Sequence, residues 1–325
     1  MIITRTPLRV SFGGGGTDLP SFYREYGGGA VVSAAIDRYV HVLVNDKFDA
    51  AIRVAYSRTE NVENLEELQH ELVREAMRTA GVPGGVEVHT IADIPSEGTG
   101  LGSSSSVTVG LLNAFHAYRG TLKGPAELAE EACAIEIDRL HGTLGKQDQY
   151  AAAFGGVQFF EFLPDDTVRV APLPLTTRDK ERLASHLSLY YSGITRQAQG
   201  ILKRMEARTE ENQESLLAMR ELARRTRDAI LASDWPRLGA LLDEGWRLKR
   251  ALSSGITTEQ IDAAYARARE AGAWGGKITG AGGGGFLLVA HPPEQSAQVE
   301  HALSPWRKVP VRFSAEGSRI LFVGR

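Results

Sequence analysis

Three clusters of glycine, each set against the end of a strand or helix, constrain this chain more than any other feature. They are SFGGGGTDLPSFY at residues 11–23, SEGTGLGSSSS at 96–106 and GGKITGAGGGGFLLV at 275–289. Such stretches are poor core material, because glycine loses more conformational freedom on folding than any other residue. The middle cluster runs directly into an apolar segment with helical spacing, residues 107–118. A helix start leaves about four backbone N–H groups unpaired and carries partial positive charge, so it attracts anions. Gly98, Gly100 and Gly102 let the backbone approach a phosphate closely, and Ser103, Ser104, Ser105 and Ser106 add hydroxyl donors. The loop has no lysine, which excludes a Walker A motif. Taken alone, it reads equally well as a serine-capped helix after a flexible loop. Three such loops at element ends are more simply explained by backbones converging on one polyphosphate.

Around the loops the chain alternates between periods. Residues 6–12 and 38–46 have the β-branched alternation of strands, and 84–95 is a further strand ending at Pro95. One helix is expected over 61–81, with Leu65, Leu68, Leu72 and Met77 on one face and a stop at Gly81. Pro125 opens another, through about Arg139. From about residue 196 long helices take over: 209–233 and 236–252 as an antiparallel hairpin, then 258–271. Strands at 285–291, 308–314 and 318–324 follow. The expected class is α+β in two lobes, residues 1–175 and 176–325. A net charge of −3 argues against a nucleic-acid partner. The single cysteine, Cys133, fits a reducing cytoplasm, and the lack of an apolar run near 20 residues argues against a membrane partner.

Two carboxylates stand out. In 126–140 the acids Glu127, Glu130, Glu131 and Asp138 share one side of a helix, whereas Glu136 falls among Ala129, Ala132, Cys133 and Leu140. A carboxylate on an apolar face is costly unless it is paired with a buried arginine or lysine or bound to a cation. Asp148 would share its helix face with Ala151, Ala152 and Gly155, small enough for close approach by a ligand; an N-cap is the alternative. The eight histidines show no metal-binding spacing, and Cys133 reads as a core residue.

In order, TPLRVSFGGGGTD, IPSEGTGLGSSSS and KITGAGGGG resemble the three motifs of the GHMP small-molecule kinases, which include galactokinase, homoserine kinase, mevalonate kinase and phosphomevalonate kinase. The resemblance implies a two-lobed fold with an N-terminal lobe like ribosomal protein S5 domain 2, and dependence on ATP and Mg²⁺. It places ATP on Gly98, Gly100, Leu101, Gly102 and Ser103 to Ser106, and Mg²⁺ on Ser104 and Glu136. Asp148 becomes the base, about twelve residues after the metal-binding glutamate, and Arg9 the cation paired with it. The substrate would meet Gly15, Gly16, Thr17, Asp18, Gly282 and Gly283, with Asp18 accepting hydrogen bonds from vicinal sugar hydroxyls. Thr17 and Asp18 could equally close a local turn. A phosphorylated sugar further needs cations, for which Lys146, Arg196 and Lys203 are candidates; each could instead be a solvated surface charge.

Within the family, GGGGTDLPSFY, residues 56–77 and LYYSGITRQAQGILK look most like the heptose 7-phosphate kinase branch. That implies phosphorylation of the anomeric hydroxyl of D-glycero-D-manno-heptose 7-phosphate. The alternatives are a neutral-sugar 1-kinase of fucose or mannose type, and a sugar sensor without turnover. Retention of Ser104, Glu136 and Asp148 favours an enzyme over a sensor. The polar stretch 56–63 is a candidate for the adenine site. Glu97 and Thr99 depart from the small residues usual just before GLGSS.

Overall fold

A computed structural model describes residues 1–95, 98–194 and 198–324, the side chains at 198 and 199 excepted. Long antiparallel strands β1 (Ile2–Gly13) and β2 (Gly29–Asp46) form the spine of the first sheet. Their register slips at Pro7/Leu8, where proline has no N–H to give the ladder. β3 (Ile52–Ala55), β4 (Thr59–Val62), β5 (Val86–Ala92), β6 (Val157–Phe162) and β7 (Val168–Pro172) extend it, with β5 on one half of β2 and β6 on the other. β8 (Leu187–Tyr191), β9 (Gly275–Ile278), β10 (Phe286–Ala290) and β11 (Arg307–Pro310) form a second sheet in the order β11-β8-β10-β9. The last strand, β12 (Arg319–Val323), returns to pair with β1, giving the first sheet eight strands in all.

The helices are α1 (Pro20–Tyr23), α2 (Glu71–Ala80), α3 (Ser103–Tyr118), α4 (Pro125–Cys133), α5 (Gln147–Phe154), α6 (Thr177–Ser185), α7 (Ala198–Glu206), α8 (Gln213–Leu231), α9 (Trp235–Leu252), α10 (Glu259–Glu270) and α11 (Ser296–Leu303). α8 and α9 pack as the expected hairpin, and α8 also lies on β1 and β2. The boundary expected at residue 175 falls between β7 and α6, yet α8 and β12, from beyond it, both pack into the first sheet's lobe.

Strand β10 shows how two cores are fed by one element. Phe286, Leu288 and Ala290 point into the core shared with the first sheet, while Leu287 and Val289 point into a second core built around Trp246 and Leu252. That is the period of two that a strand buried on both faces requires. The single helix expected over 61–81 is instead a short turn at Leu65–Glu67 and then α2. The break has a local cause: the Glu60 carboxylate accepts the N–H groups of Gln69 (2.6 Å) and His70 (3.1 Å), holding that segment out of the helix. α2 ends as expected at Gly81, in the left-handed conformation with φ 68°. Among the described residues, no helix is long and apolar enough to cross a membrane.

Candidate active site

The three glycine clusters meet around one cavity of about 1080 Å³, to which both sheets' loops contribute. The middle and C-terminal clusters touch directly. A Cβ at Gly100 (φ +73°) would lie 2.5 Å from the Thr279 carbonyl oxygen, and one at Gly280 (φ +64°) would lie 2.5 Å from the Gly100 Cα. The Thr279 hydroxyl and the Phe286 N–H both donate to the Thr99 carbonyl, at 3.2 and 3.3 Å. Glycine is therefore required here by contact as well as by backbone conformation.

β1 and α5 supply the most defined pair. Arg9, near the end of β1 and 4% exposed, donates from Nε to Asp148 Oδ1 and from Nη2 to Oδ2, both at 2.6 Å. Its third nitrogen, Nη1, donates to the Gly100 carbonyl at 2.6 Å. The fork geometry of a guanidinium matches two carboxylate oxygens at once, which fixes the plane of the acid. Asp148 lies in the first turn of α5 and caps nothing. Its side chain keeps 22% exposure and lines the cavity.

Glu136 occupies a widened, π-type turn over Ala134–Arg139 that continues α4, a geometry that often marks functional positions. It has no ion pair with a buried arginine or lysine among the described residues. Its Oε1 accepts from the hydroxyls of Ser104 (2.8 Å) and Thr108 (3.1 Å). Its Oε2 accepts from Ser105 (2.8 Å) and the Gln149 amide (2.5 Å). Burial pushes the Glu136 carboxyl up from its ordinary value, against the four hydrogen bonds that favour the charged form. Ser104 and Ser105 line the cavity and Glu136 stands directly behind them. A hydroxyl and a carboxylate at a helix start form the oxygen-only donor set that Mg²⁺ takes alongside phosphates, so Ser104 and Glu136 fit that ion.

The first glycine loop is held shut by Asp18, whose Oδ1 accepts from the Gly16 N–H (2.8 Å) and Oδ2 from the Gln147 N–H (3.3 Å). Asp18 is 3% exposed, and burial, with the Asp148 charge adding to it, pushes its carboxyl up. Thr17 does not reach the cavity. It is fully buried, donates its hydroxyl to the Gly14 and Ala30 carbonyls and accepts the Ala30 N–H, so it anchors the loop and has no hydrogen left for a sugar.

Of the other expected residues, Gly15, Gly16, Gly98, Gly100, Gly102, Ser103, Ser104, Ser105 and Gly282 line the cavity. Leu101 is buried away from it, and Ser106 turns its hydroxyl to the Pro7 carbonyl at 2.8 Å. Gly283 serves its loop by donating to Ile256 O. Lys146 faces elsewhere: its ammonium bonds the Asp166 carbonyl (2.9 Å) and carboxylate (3.3 Å) and sits over the Tyr23 ring. Lys203 is exposed, and Arg196 and Glu97 lie outside the described residues. Ser57, within the polar stretch 56–63, lines the cavity, and so does Thr99.

Among the residues lining this cavity that sequence reasoning missed, four carry polar or charged side chains that matter for its chemistry. Ser11 Oγ and Gln147 Oε1 are buried there without a hydrogen-bond partner among the described residues. Lys249 and Lys277 are each 6% exposed and also enter it. A signal existed for Lys249: it is the single charge on the buried stripe Leu238, Leu242, Gly245, Trp246 and Leu252 of α9. The same reasoning that isolates Glu136 isolates Lys249.

Residues 67–156 match the GHMP kinases N terminal domain, and residues 226–307 match the GHMP kinases C terminal description. The D-glycero-alpha-D-manno-heptose 7-phosphate kinase of Campylobacter jejuni is 31% identical over 319 residues, covering 93% of each chain. A solved structure of a D-glycero-D-manno-heptose 1-phosphate kinase from Bacteroides thetaiotaomicron aligns over 100% of both chains, with a TM-score of 0.82 and 27% identity. The galactose complex of Lactococcus lactis galactokinase, at 20% identity, shares the fold, with a TM-score of 0.75 over 98% of this chain and 94% of that one. The chain belongs to the GHMP kinase family, and its α+β, two-sheet architecture is the GHMP kinase fold.

Proposed function

We propose that this chain is an ATP-dependent sugar kinase that phosphorylates the anomeric C1 hydroxyl of D-glycero-D-manno-heptose 7-phosphate, giving the 1,7-bisphosphate. The observation that carries this reading is Asp148, gripped on both oxygens by Arg9 and facing a cavity whose wall includes the start of α3. Phosphoryl transfer asks a protein mainly for alignment and charge neutralisation. The triphosphate lies against residues 98–105, where the unpaired N–H groups of α3 and the hydroxyls of Ser103, Ser104 and Ser105 act as donors. Asp148 accepts the proton of the C1 hydroxyl as its oxygen bonds to the γ-phosphorus and the bond to the ADP oxygen breaks. Arg9 holds the plane of that carboxylate, and Asp18 with the Ser11 and Gln147 oxygens, which have no hydrogen-bond partner among the described residues, orients the sugar. Ser104 and Glu136 would hold Mg²⁺, which when bound neutralises charge on the phosphates. Support for a heptose phosphate comes from relatives named for such substrates.

The test is to incubate the purified protein with MgATP and, separately, heptose 7-phosphate, mannose, fucose and mevalonate, and to follow new phosphate esters by ³¹P NMR. A second, anomeric phosphate on heptose 7-phosphate alone is expected. Turnover of a neutral sugar alone would overturn the phosphorylated acceptor, and turnover of none would return the sensor reading.

A second expectation concerns Gly145, where a Cβ would lie 1.9 Å from Asp18 Oδ2. Gly145→Ala must displace that carboxylate and shift the Asp18 backbone behind it. The KM for the acceptor is expected to rise by about tenfold or more, the loss of one hydrogen bond to a charged group. The KM for ATP should hold, and steady-state kinetics with each substrate varied in turn would separate the two. Equal effects on both would show that Asp18 does not act on the acceptor.

A further inference from the structure

We propose that Lys249 of α9 and Lys277 of β9 form an anion subsite that receives the phosphate the acceptor already carries. This inference rests on the acceptor being a sugar phosphate. Both lysines are more than nine-tenths buried, and both line the cavity shared by the glycine loops. Lys249 Nζ donates to the Gly280 carbonyl, and neither lysine is ion-paired with any described residue. Lys277 makes no hydrogen bond with one either. A buried cation without a partner is costly, and two that repel each other are more so. Burial is the main cause that holds both ammonium groups down, Lys249 to about 8, and each also feels the Arg9 charge. A fold that turns Lys249 and Lys277 into the cavity that Arg9 also lines is organised for an anion.

The chemistry sought is a phosphate group, which either substrate could bring. The neighbours of the lysines favour the acceptor. Asp18 and Asp148 line the same cavity as the lysines, and the triphosphate already has the start of α3 and its serine hydroxyls as donors. The acceptor's phosphate is then the anion in this cavity that the lysines are left to meet. The lysine pair also replaces Lys146, whose ammonium is committed to Asp166. A phosphate on one end of the sugar and the Asp18 carboxylate on its hydroxyls would fix which hydroxyl meets Asp148.

Lys277→Met and Lys249→Gln are the variants, each measured with heptose 7-phosphate and with the unphosphorylated heptose. The KM for heptose 7-phosphate is expected to rise by about 10- to 100-fold, the loss of a charge-assisted hydrogen bond. The KM for ATP, and whatever turnover the wild type shows with unphosphorylated heptose, should stay as they are. Thermal unfolding without ligand supplies the second readout. Lys277→Met should melt no lower than the wild type, because an uncompensated buried charge has been removed, whereas a lysine kept for structure would lower the melting temperature. A fall in kcat on both sugars with the KM for heptose 7-phosphate unchanged would assign the pair to the transferred phosphoryl group and overturn the proposal. Wild-type turnover of neutral sugars only would instead remove the premise of a phosphorylated acceptor, a failure distinguishable from the first.

Discussion

Asparagine in place of Asp148 is expected to lower kcat by about 10²- to 10⁴-fold, the range a positioned general base contributes. The substitution keeps the shape of the side chain and the oxygen facing one Arg9 nitrogen. It replaces the other oxygen with an amide that cannot accept from the guanidinium or take a proton. Arg9 stays anchored through its bond to the Gly100 carbonyl and its backbone bond to Leu101. The glycine loop between Gly98 and Ser105, which Asp148 does not touch by hydrogen bond, should bind nucleotide as before. Steady-state turnover measured beside calorimetric binding of a non-hydrolysable ATP analogue separates the two effects. A variant with near-normal kcat would dismiss Asp148 as the base and leave its pairing with Arg9 as architecture. A variant that loses nucleotide affinity as well would show that the Arg9–Asp148–Gly100 chain holds the loop itself.

The glycine clusters were legible because they report a backbone constraint, and that constraint appears as contact. Gly100 and Gly280 have no room for a Cβ because each lies against the other's loop. Glu136 was legible because a charge on an apolar stripe has few explanations, although the four donors around it come from α3 and α5 and no spacing rule announces them. Arg9 and Asp148 stand 139 residues apart, and only the family resemblance joined them before the structure did. Thr17 shows the opposite limit. Its hydroxyl chemistry suits a sugar, but the direction of the side chain, toward Gly14 and Ala30, depends on how the loop folds over β2. Lys249 carried the same signal as Glu136, a charge on a buried stripe, but a lysine on an amphipathic helix ordinarily counts as surface, and Lys277 sits inside a motif noted for its glycines. Strand β6, VQFFEF, has no clean alternation because five of its six residues are buried, so the period of two was absent from its sequence.

Glutamine in place of Glu136 separates what the acid does for the reaction from what it costs the fold. The amide can still accept from two of the four surrounding donors, and the serine and threonine hydroxyls can rotate to accept from its NH₂. The negative charge that faces Ser104 is lost. The Mg²⁺ concentration giving half-maximal rate is expected to rise by at least about 10- to 100-fold, and kcat at saturating metal to fall by about 10²- to 10³-fold. Stability should move the other way. Because burial raises the Glu136 carboxyl above its unfolded value, the folded chain binds that proton more tightly than the unfolded chain does. Stability from this group is therefore fully present below the unfolded pKa and is lost as pH rises through the folded one. Glutamine, neutral throughout, removes that slope, so the melting temperature of the variant should fall less than that of the wild type between mildly acidic and neutral pH. Melting curves across that range and initial rates across a Mg²⁺ series provide the two readouts. Normal Mg²⁺ dependence with a lowered melting temperature would make Glu136 a buried polar tie between α3, α5 and the turn that carries it. A raised Mg²⁺ requirement in a chain that melts no lower would make it a cation ligand kept at the expense of stability.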